Sequence, residues 1–183
     1  MTDHASAADT GHVQPLEPRQ LEAYFVLLEA VSLLQHAVEQ HLRAEGDISY
    51  VQFQLLARLF HAPGPLTMTQ LADGVVYSRS GLTYQAGLLE KAGLITRGPC
   101  PDDERATRVT LTDAGRDLFH HVLPGHVRLS RRLLFDPLSD DDVDHLGDIM
   151  TRVRDHMRAQ PPRSAAPRKR RTATPALPAE AAT

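Results

Sequence analysis

Apolar residues recur at helical spacing through the first third of the chain. Gly46 ends this run, which predicts a helix of about 25 residues. Its apolar positions are Leu21, Phe25, Leu28, Val31, Val38 and Leu42. Because a helix of that length needs a long partner to cover its apolar side, the pattern indicates a dimer.

Polar helix starts are spread along the rest of the chain. In three of them a Ser or Thr is followed three residues later by a Gln or Asp, which is the spacing of a capping box. These pairs are Ser49 with Gln52, Thr67 with Gln70, and Ser139 with Asp142. Thr112 before Asp113 indicates a further start, because a carboxylate is favourable near a helix N-terminus. The predicted helices are 49–61, 67–74, 78–92, 112–135 and 139–158, and we expect Pro124 to kink the fourth.

Helix 78–92 has two different sides. At about 100° per residue, one side is apolar and the other is polar, aromatic and basic. The apolar side holds Leu82, Ala86 and Leu89. The outer side holds Ser80, Tyr84, Gly87 and Lys91, with Thr83 at its margin. Such an outer side suits a helix that enters the DNA major groove, and an ordinary solvated surface helix fits the pattern equally well.

After Gly93 the apolar period changes from helical to alternating. Residues 94–97 and 108–111 read as two strands joined by a long loop, and helix, turn, helix and hairpin follow the order of a winged helix. Near the hairpin tip, Asp103 and Arg105 lie two residues apart. An Asp can hold a guanidinium in a fixed direction, and an arginine so held suits a narrow minor groove. The alternative is an ion pair that only fastens the loop.

Composition limits the class of protein. With 183 residues and 42% hydrophobic content, we expect one domain over 17–158 between disordered segments 1–16 and 159–183. No apolar run approaches the roughly 20 residues of a membrane span, and the N-terminus has no signal-peptide pattern. We therefore expect a soluble cytoplasmic protein with no membrane partner.

Charge is distributed unevenly along the chain. Residues 159–183 hold five basic residues and one acidic residue, whereas residues 1–158 hold 15 basic and 22 acidic ones. Around helix 78–92 and the hairpin, six basic residues are matched by six acidic ones. Electrostatics therefore gives no global case for nucleic-acid binding. The basic tail either adds salt-sensitive DNA affinity or serves as a solubilising appendage.

Four segments in series resemble the MarR (multiple-antibiotic-resistance regulator) family. They are residues 78–83, 89–97, 101–105 and 109–116. The resemblance implies a mainly α, winged helix-turn-helix fold with a two-stranded β wing and long N- and C-terminal dimerisation helices. It also implies a homodimeric, ligand-responsive transcription regulator that binds double-stranded DNA at an inverted repeat. The regulator is either a repressor, which we expect, or an activator.

The same resemblance assigns the DNA-binding residues. It implies a recognition helix at 78–92 and a wing at 94–111. The candidate contacts are Ser78, Arg79, Ser80, Thr83, Tyr84, Lys91, Asp103 and Arg105. Many relatives have an arginine where this chain has Tyr84. Because tyrosine cannot make the bidentate contact of arginine with guanine, we expect a different preferred sequence.

A small aromatic or phenolic effector is the expected ligand of such a regulator. The resemblance places four candidate residues along its cleft, namely His36, Tyr50, Phe53 and His61. Each of them also fits an ordinary core or surface position. Redox relatives use a cysteine near the first helix, whereas Cys100 lies in the wing loop, so a bystander thiol is the preferred interpretation.

Other functions have weaker support. The ten histidines include no pair four residues apart that would put two imidazoles on one helix face, so we predict no metal site and no cofactor. The sequence shows no nucleophile elbow, phosphate-binding glycine loop or Cys/His quartet, so we predict that the chain is not an enzyme. The alternative to DNA reading is a winged-helix module that binds other proteins.

Overall fold

The protein is mainly helical with a small antiparallel sheet, as the sequence predicts. A computed structural model describes residues 14–73, 79–101 and 103–159. The helices are α1 (Pro18–Gly46), α2 (Tyr50–His61), α3 (Met68–Ala72), α4 (Arg79–Lys91), α5 (Asp113–Ser130) and α6 (Asp140–Ala159). The strands are β1 (Leu66–Thr67), β2 (Ile95–Cys100) and β3 (Asp103–Leu111). The chain divides into two compact units, with the boundary between Pro137 and Leu138, so α6 is described by itself.

The predicted capping boxes are present. The Ser49 hydroxyl accepts from the Gln52 amide at 3.2 Å, and the Gln52 side chain accepts from the Ser49 amide at 2.8 Å. Reciprocal bonds of the same kind join Thr67 to Gln70 and Ser139 to Asp142. Each pair satisfies two backbone donors that a helix start leaves without intrahelical partners. These local bonds explain why α2, α3 and α6 begin where they do.

The core of the first unit is built where α1, α2 and α5 meet. Val38 and Leu42 from the second half of α1 are buried, together with Phe53 from α2 and Phe119 and Val122 from α5. The rings of Phe53 and Phe119 are stacked with centroids 5.5 Å apart. The core continues into the sheet and the short helices, through Leu71, Leu82, Leu89, Ile95 and Val109.

The sheet has one more strand than the predicted two-stranded wing. Its order is β1-β3-β2, and β1 pairs with β3 through Leu66 opposite Val109 and Thr67 opposite Arg108. A two-residue strand is too short to show alternation, so its pairing with a strand about 40 residues away leaves no local signal. Thr67 belongs to β1 and also caps α3, which places the start of α3 directly at the edge of the sheet.

Helix α5 differs from its prediction. It continues through Pro124 as far as Ser130, and a π-helical turn over Arg131–Phe135 follows it. A proline removes only its own N–H from the ladder, and neighbouring bonds can carry the helix past it. The irregular stretch therefore lies at 131–135, beyond the predicted position at Pro124.

Helix α1 is long and apolar enough to cross a membrane by length and composition, which overturns the expectation that no run comes close to a span. The segment contains no unbroken apolar run, because Glu29, Ser32 and Gln35 interrupt it, yet it is apolar on average. Helices of soluble proteins pass the same test. The first half of α1 leaves large apolar side chains exposed, namely Leu21, Tyr24, Phe25, Val26, Leu27, Leu28, Val31 and Leu33.

Candidate nucleic-acid interface

Helix α4 is seated on the core by one apolar side. Leu82, Ala86 and Leu89 are almost completely buried, as their spacing predicts. Helix α3, which precedes α4, is bonded to α2, because the Arg58 guanidinium of α2 donates to the Gln70 backbone carbonyl of α3 at 3.1 Å. With its inner side occupied, α4 presents its opposite side to solvent.

The exposed side of α4 carries most of the predicted contacts. Ser80, Thr83, Tyr84 and Lys91 are exposed, and the large side chain of Tyr84 is 64% exposed. A tyrosine in this position offers an aromatic face and one hydroxyl, which suit packing against a thymine methyl group or a single hydrogen bond. Arg79 begins α4 in the described backbone, whereas Ser78 and the Arg79 side chain lie outside the described part.

A hydrogen-bonded ion pair joins α4 to the wing. The Arg97 guanidinium of β2 donates through Nε and Nη2 to Glu90 Oε2, at 2.9 and 2.6 Å. The Arg97 backbone amide donates to Glu90 Oε1 at 3.1 Å. The hydrogen bonds and positive charge of Arg97 lower the pKa of the Glu90 carboxyl below its ordinary value. The sequence gives no local signal for this pairing, because Glu90 and Arg97 are seven residues apart across a turn.

A tight joint lies between the end of α4 and the start of α5. Gly93 has φ of +73°, a conformation that favours glycine, and the Leu94 amide donates back to Leu89 O at 2.9 Å. The Thr112 hydroxyl donates to Gly93 O at 2.7 Å, and its amide donates to Leu94 O at 3.1 Å. A Cβ on Gly115 would lie 2.1 Å from Leu94 O, so only glycine permits this approach.

The wing tip differs in detail from the predicted Asp–Arg arrangement. Asp103 Oδ1 accepts from the Arg105 backbone amide at 2.9 Å. Among the ion pairs of the described residues, none joins the Asp103 carboxylate to the Arg105 guanidinium. Asp103 therefore shapes the backbone of the tip, and the side chain of Arg105 is exposed. The residue order alone could not distinguish a bond to the guanidinium from a bond to the amide.

Among the side chains that the structure describes on α4 and the wing, few cations are available to phosphates. Lys91, Arg105 and Arg108 are exposed on α4 and β3, whereas the charge of Arg97 is offset by Glu90. Phosphate contacts supply the salt-sensitive, sequence-independent part of DNA affinity. This surface is therefore suited to modest electrostatic attraction to DNA. A larger share of the DNA affinity then depends on contacts to the bases.

The structure distributes the four predicted effector residues over different surroundings. His36 is exposed on α1, and Tyr50 begins α2 with its amide bonded to Glu39 at 2.5 Å. Phe53 is a core residue, 6% exposed. His61 lines a pocket of about 420 Å³ with Ala57, Arg58, Ala62, Pro63 and Leu66.

Two further histidines, His41 and His126, lie where α1, α2 and α5 meet. The His126 ring is 4.6 Å from the Phe53 ring, and its buried Nδ1 has no hydrogen-bond partner among the residues that the structure describes. His41 Nε2 lies 3.3 Å from the Val122 carbonyl oxygen. Burial, and then the positive charge of His41 when protonated, lower the pKa of His126 below its ordinary value. No group of three or more potential metal ligands occurs within the described ranges.

Comparisons with known proteins agree with this architecture. A family model for the MarR family matches residues 46–106. The crystal structure of Sco3205 in complex with DNA, a MarR family transcriptional regulator from Streptomyces coelicolor, is similar with a TM-score of 0.76 and 32% identity, covering 80% of this chain and 95% of that one. AbsC, a MarR family transcriptional regulator from the same organism, has a TM-score of 0.76 and 28% identity, with coverages of 81% and 100%.

A curated relative gives the same picture at the level of sequence. HTH-type transcriptional regulator MhqR of Bacillus subtilis is 24% identical over 135 residues, which are 74% of this chain and 91% of that protein. These relatives are transcriptional regulators, which is a role without catalysis.

Proposed function

This chain belongs to the MarR family of DNA-binding transcription regulators, and we propose that it is a homodimeric repressor whose affinity for an inverted repeat is lowered by a small aromatic or phenolic effector. The observation that carries the proposal is the two-sided structure of α4. Its inner side is buried, and its outer side exposes Ser80, Thr83, Tyr84 and Lys91 beside an arginine-bearing hairpin. Such a regulator acts in the cytoplasm, where its DNA is.

Exposed apolar surface supports the homodimer. Between Leu21 and Leu33, α1 exposes eight large apolar side chains. Helix α6, taken by itself, exposes Ile149, Val153 and Met157 at a spacing of four residues, which places them along one side. Apolar surface on this scale in a DNA-binding protein marks an interaction site. In the proposed dimer a second copy of the chain covers both helices.

A two-fold dimer fixes the geometry of the DNA site. Two copies of α4 enter successive major grooves when their half-sites lie about 34–36 Å apart. The operator is then an inverted repeat with one helical turn between half-site centres. We place the Arg105 side chain of each wing in the flanking minor groove, whose negative potential attracts it.

We place the effector site in the pocket that His61 lines. This pocket combines apolar lining with the Arg58 guanidinium, whose buried Nε has no partner in the described residues. An aromatic ring with an ionised oxygen complements that lining. A ligand that prefers a dimer spacing unsuited to the half-sites lowers DNA affinity by its differential binding to the two states. A screen of phenolic and benzoate ligands for a rise in melting temperature, repeated on Arg58→Ala, tests the placement.

Fluorescence anisotropy with the chain's own upstream DNA tests DNA reading. Tyr84→Ala and Arg105→Ala are expected to weaken binding about tenfold each, Tyr84→Ala by loss of base contacts and Arg105→Ala by loss of a groove contact. Arg154→Ala on α6, which also removes an exposed arginine, is the matched control and keeps wild-type affinity. A dimer that binds no palindromic duplex at low salt would overturn the proposal in favour of a protein-interaction module.

The basic tail is proposed to add non-specific affinity. Deletion of residues 160–183 removes five basic residues, so the dependence of log affinity on log salt should become shallower by a few ions while sequence preference stays the same. An unchanged slope assigns the tail a solubilising role instead.

A further inference from the structure

We propose that Glu90 and Arg97 are a positioning pair that sets the angle between the recognition helix and the wing, so that Arg97 acts through Glu90 and makes no phosphate contact. The inference rests on the proposed binding mode, in which α4 and the wing engage one half-site together. It assigns a role in DNA recognition to two residues outside the predicted contact set.

The hydrogen bonds between Glu90 and Arg97 occupy the side chains of both residues. One carboxylate receives three hydrogen bonds from a single residue, two from the guanidinium and one from the backbone amide. A guanidinium held in this way has a fixed direction, and its hydrogen bonds to a carboxylate are stronger than those between neutral groups. The bond from the Arg97 amide also fixes the β2 backbone. Glu90 of α4 is therefore bonded both to the side chain and to the backbone of the strand.

The position of Glu90 supports a role for the pair. Glu90 lies in the last turn of α4, which ends at Lys91. A carboxylate is unfavourable at that end of a helix, because the helix dipole is negative there. The guanidinium of Arg97 offsets this cost, so the acid at this position makes physical sense as half of the pair.

A small angular change at Arg97 becomes large at the wing tip. Arg97 pairs with Val109, the buried centre of the sheet, and Cys100 pairs with Asp103 near the tip. At about 3.3 Å per residue, Cys100 lies roughly 10 Å beyond Arg97. A tilt of about 10° then displaces this end of the wing, which carries Arg105, by roughly 2 Å, which is about a third of the minor-groove width of about 6 Å.

Four variants separate this role from a phosphate contact. If the pair positions the wing, Glu90→Gln, Arg97→Gln and Arg97→Lys each weaken binding to the inverted repeat about tenfold, because lysine keeps the charge but not the fork. The double variant Glu90→Gln/Arg97→Gln is no weaker than either single one, and the salt slope stays at the wild-type value. Asp155→Asn removes an exposed Arg–carboxylate pair on α6 and serves as the matched control with unchanged binding.

A phosphate contact predicts the opposite pattern. Glu90→Gln then binds as tightly as the wild type or more tightly, Arg97→Lys retains affinity, and only Arg97→Gln lowers the salt slope, by about one ion. That pattern would overturn the inference.

Amide hydrogen exchange on the free dimer provides a readout without DNA. In Glu90→Gln, the β2 amides including that of Arg97 should exchange faster, while amides in the α1–α5 core keep wild-type protection. Equal β2 protection in variant and wild type would contradict the inference. If the wild type shows no preference for the inverted repeat, the proposed function fails, and this exchange experiment still decides the role of the pair.

Discussion

The DNA-binding lobe, which consists of α3, α4 and the sheet, and the first half of α1 use their apolar residues in opposite ways. In the lobe, Leu71, Leu82, Leu89, Ile95 and Val109 are buried within one copy of the chain. In α1, every large apolar side chain from Leu21 to Val31 is exposed. A buried apolar residue stabilises the chain that holds it, whereas an exposed one gains only when something else covers it. The lobe is therefore stabilised within one chain, whereas the apolar side chains in the first half of α1 would gain stability only in the proposed dimer.

A charge on α1 should break the assembly and leave the lobe folded. Phe25 is 59% exposed, and Phe25→Glu would bury a carboxylate in the proposed dimer interface. We expect a monomer in analytical ultracentrifugation, with DNA affinity reduced on the order of 100-fold because only one half-site is held at a time.

Gln40→Glu, which adds the same charge at an exposed position in the second half of α1, serves as the control and remains a dimer. A dimeric Phe25→Glu protein at micromolar concentration would show that the exposed side of α1 is not the interface.

A cavity in the lobe should have the complementary effect. Leu89 is almost fully buried beneath α4, and Leu89→Ala is expected to lower the free energy of unfolding by about 2–5 kcal/mol. Because the loss lies within one chain, the folded fraction should still sediment as a dimer. Thermal unfolding with ultracentrifugation measures both, and Leu88→Ala, next in sequence but only half-buried, is expected to cost less. Loss of dimerisation in folded Leu89→Ala would show that the two regions are not independent.

The smallest expected effect lies at His126, where α5 meets the core that supports α1. Its pKa is lowered by burial, so between the folded-state value and the ordinary value of about 6.5 the unfolded chain binds a proton that the folded chain does not. Stability from this residue is complete above about 6.5 and decreases as pH falls below it.

Melting temperatures between pH 7.5 and 5.5 should therefore decrease less in His126→Phe than in the wild type. The exposed His145→Gln variant on α6 should follow the wild-type curve. Parallel curves for His126→Phe and the wild type would argue against this linkage.

Sequence patterns predicted what is local and missed what depends on pairing at a distance. The Ser49, Thr67 and Ser139 helix starts and the buried side of α4 follow from spacing within one or two turns. Strand β1 did not, because Leu66 finds its partner Val109 only in the folded chain.

The candidate site shows the same limit. The Glu90–Arg97 pair spans a turn whose direction is set by Gly93, and the bond of Asp103 goes to an amide that no side-chain pattern reveals. Phe53, an expected cleft residue, packs on Phe119, since an aromatic residue on α2 serves a core or a pocket equally well until its neighbours are known.

The joint between α4 and α5 has a mechanical consequence. Since Thr112 bonds to both residues of the turn after α4, and Gly115 lets the two backbones touch, the start of α5 cannot rotate without carrying the end of α4 with it. The 18 residues of α5 span about 27 Å. A rotation of α5 by about 5° about its far end would therefore move this joint, and the end of α4 with it, by roughly 2 Å.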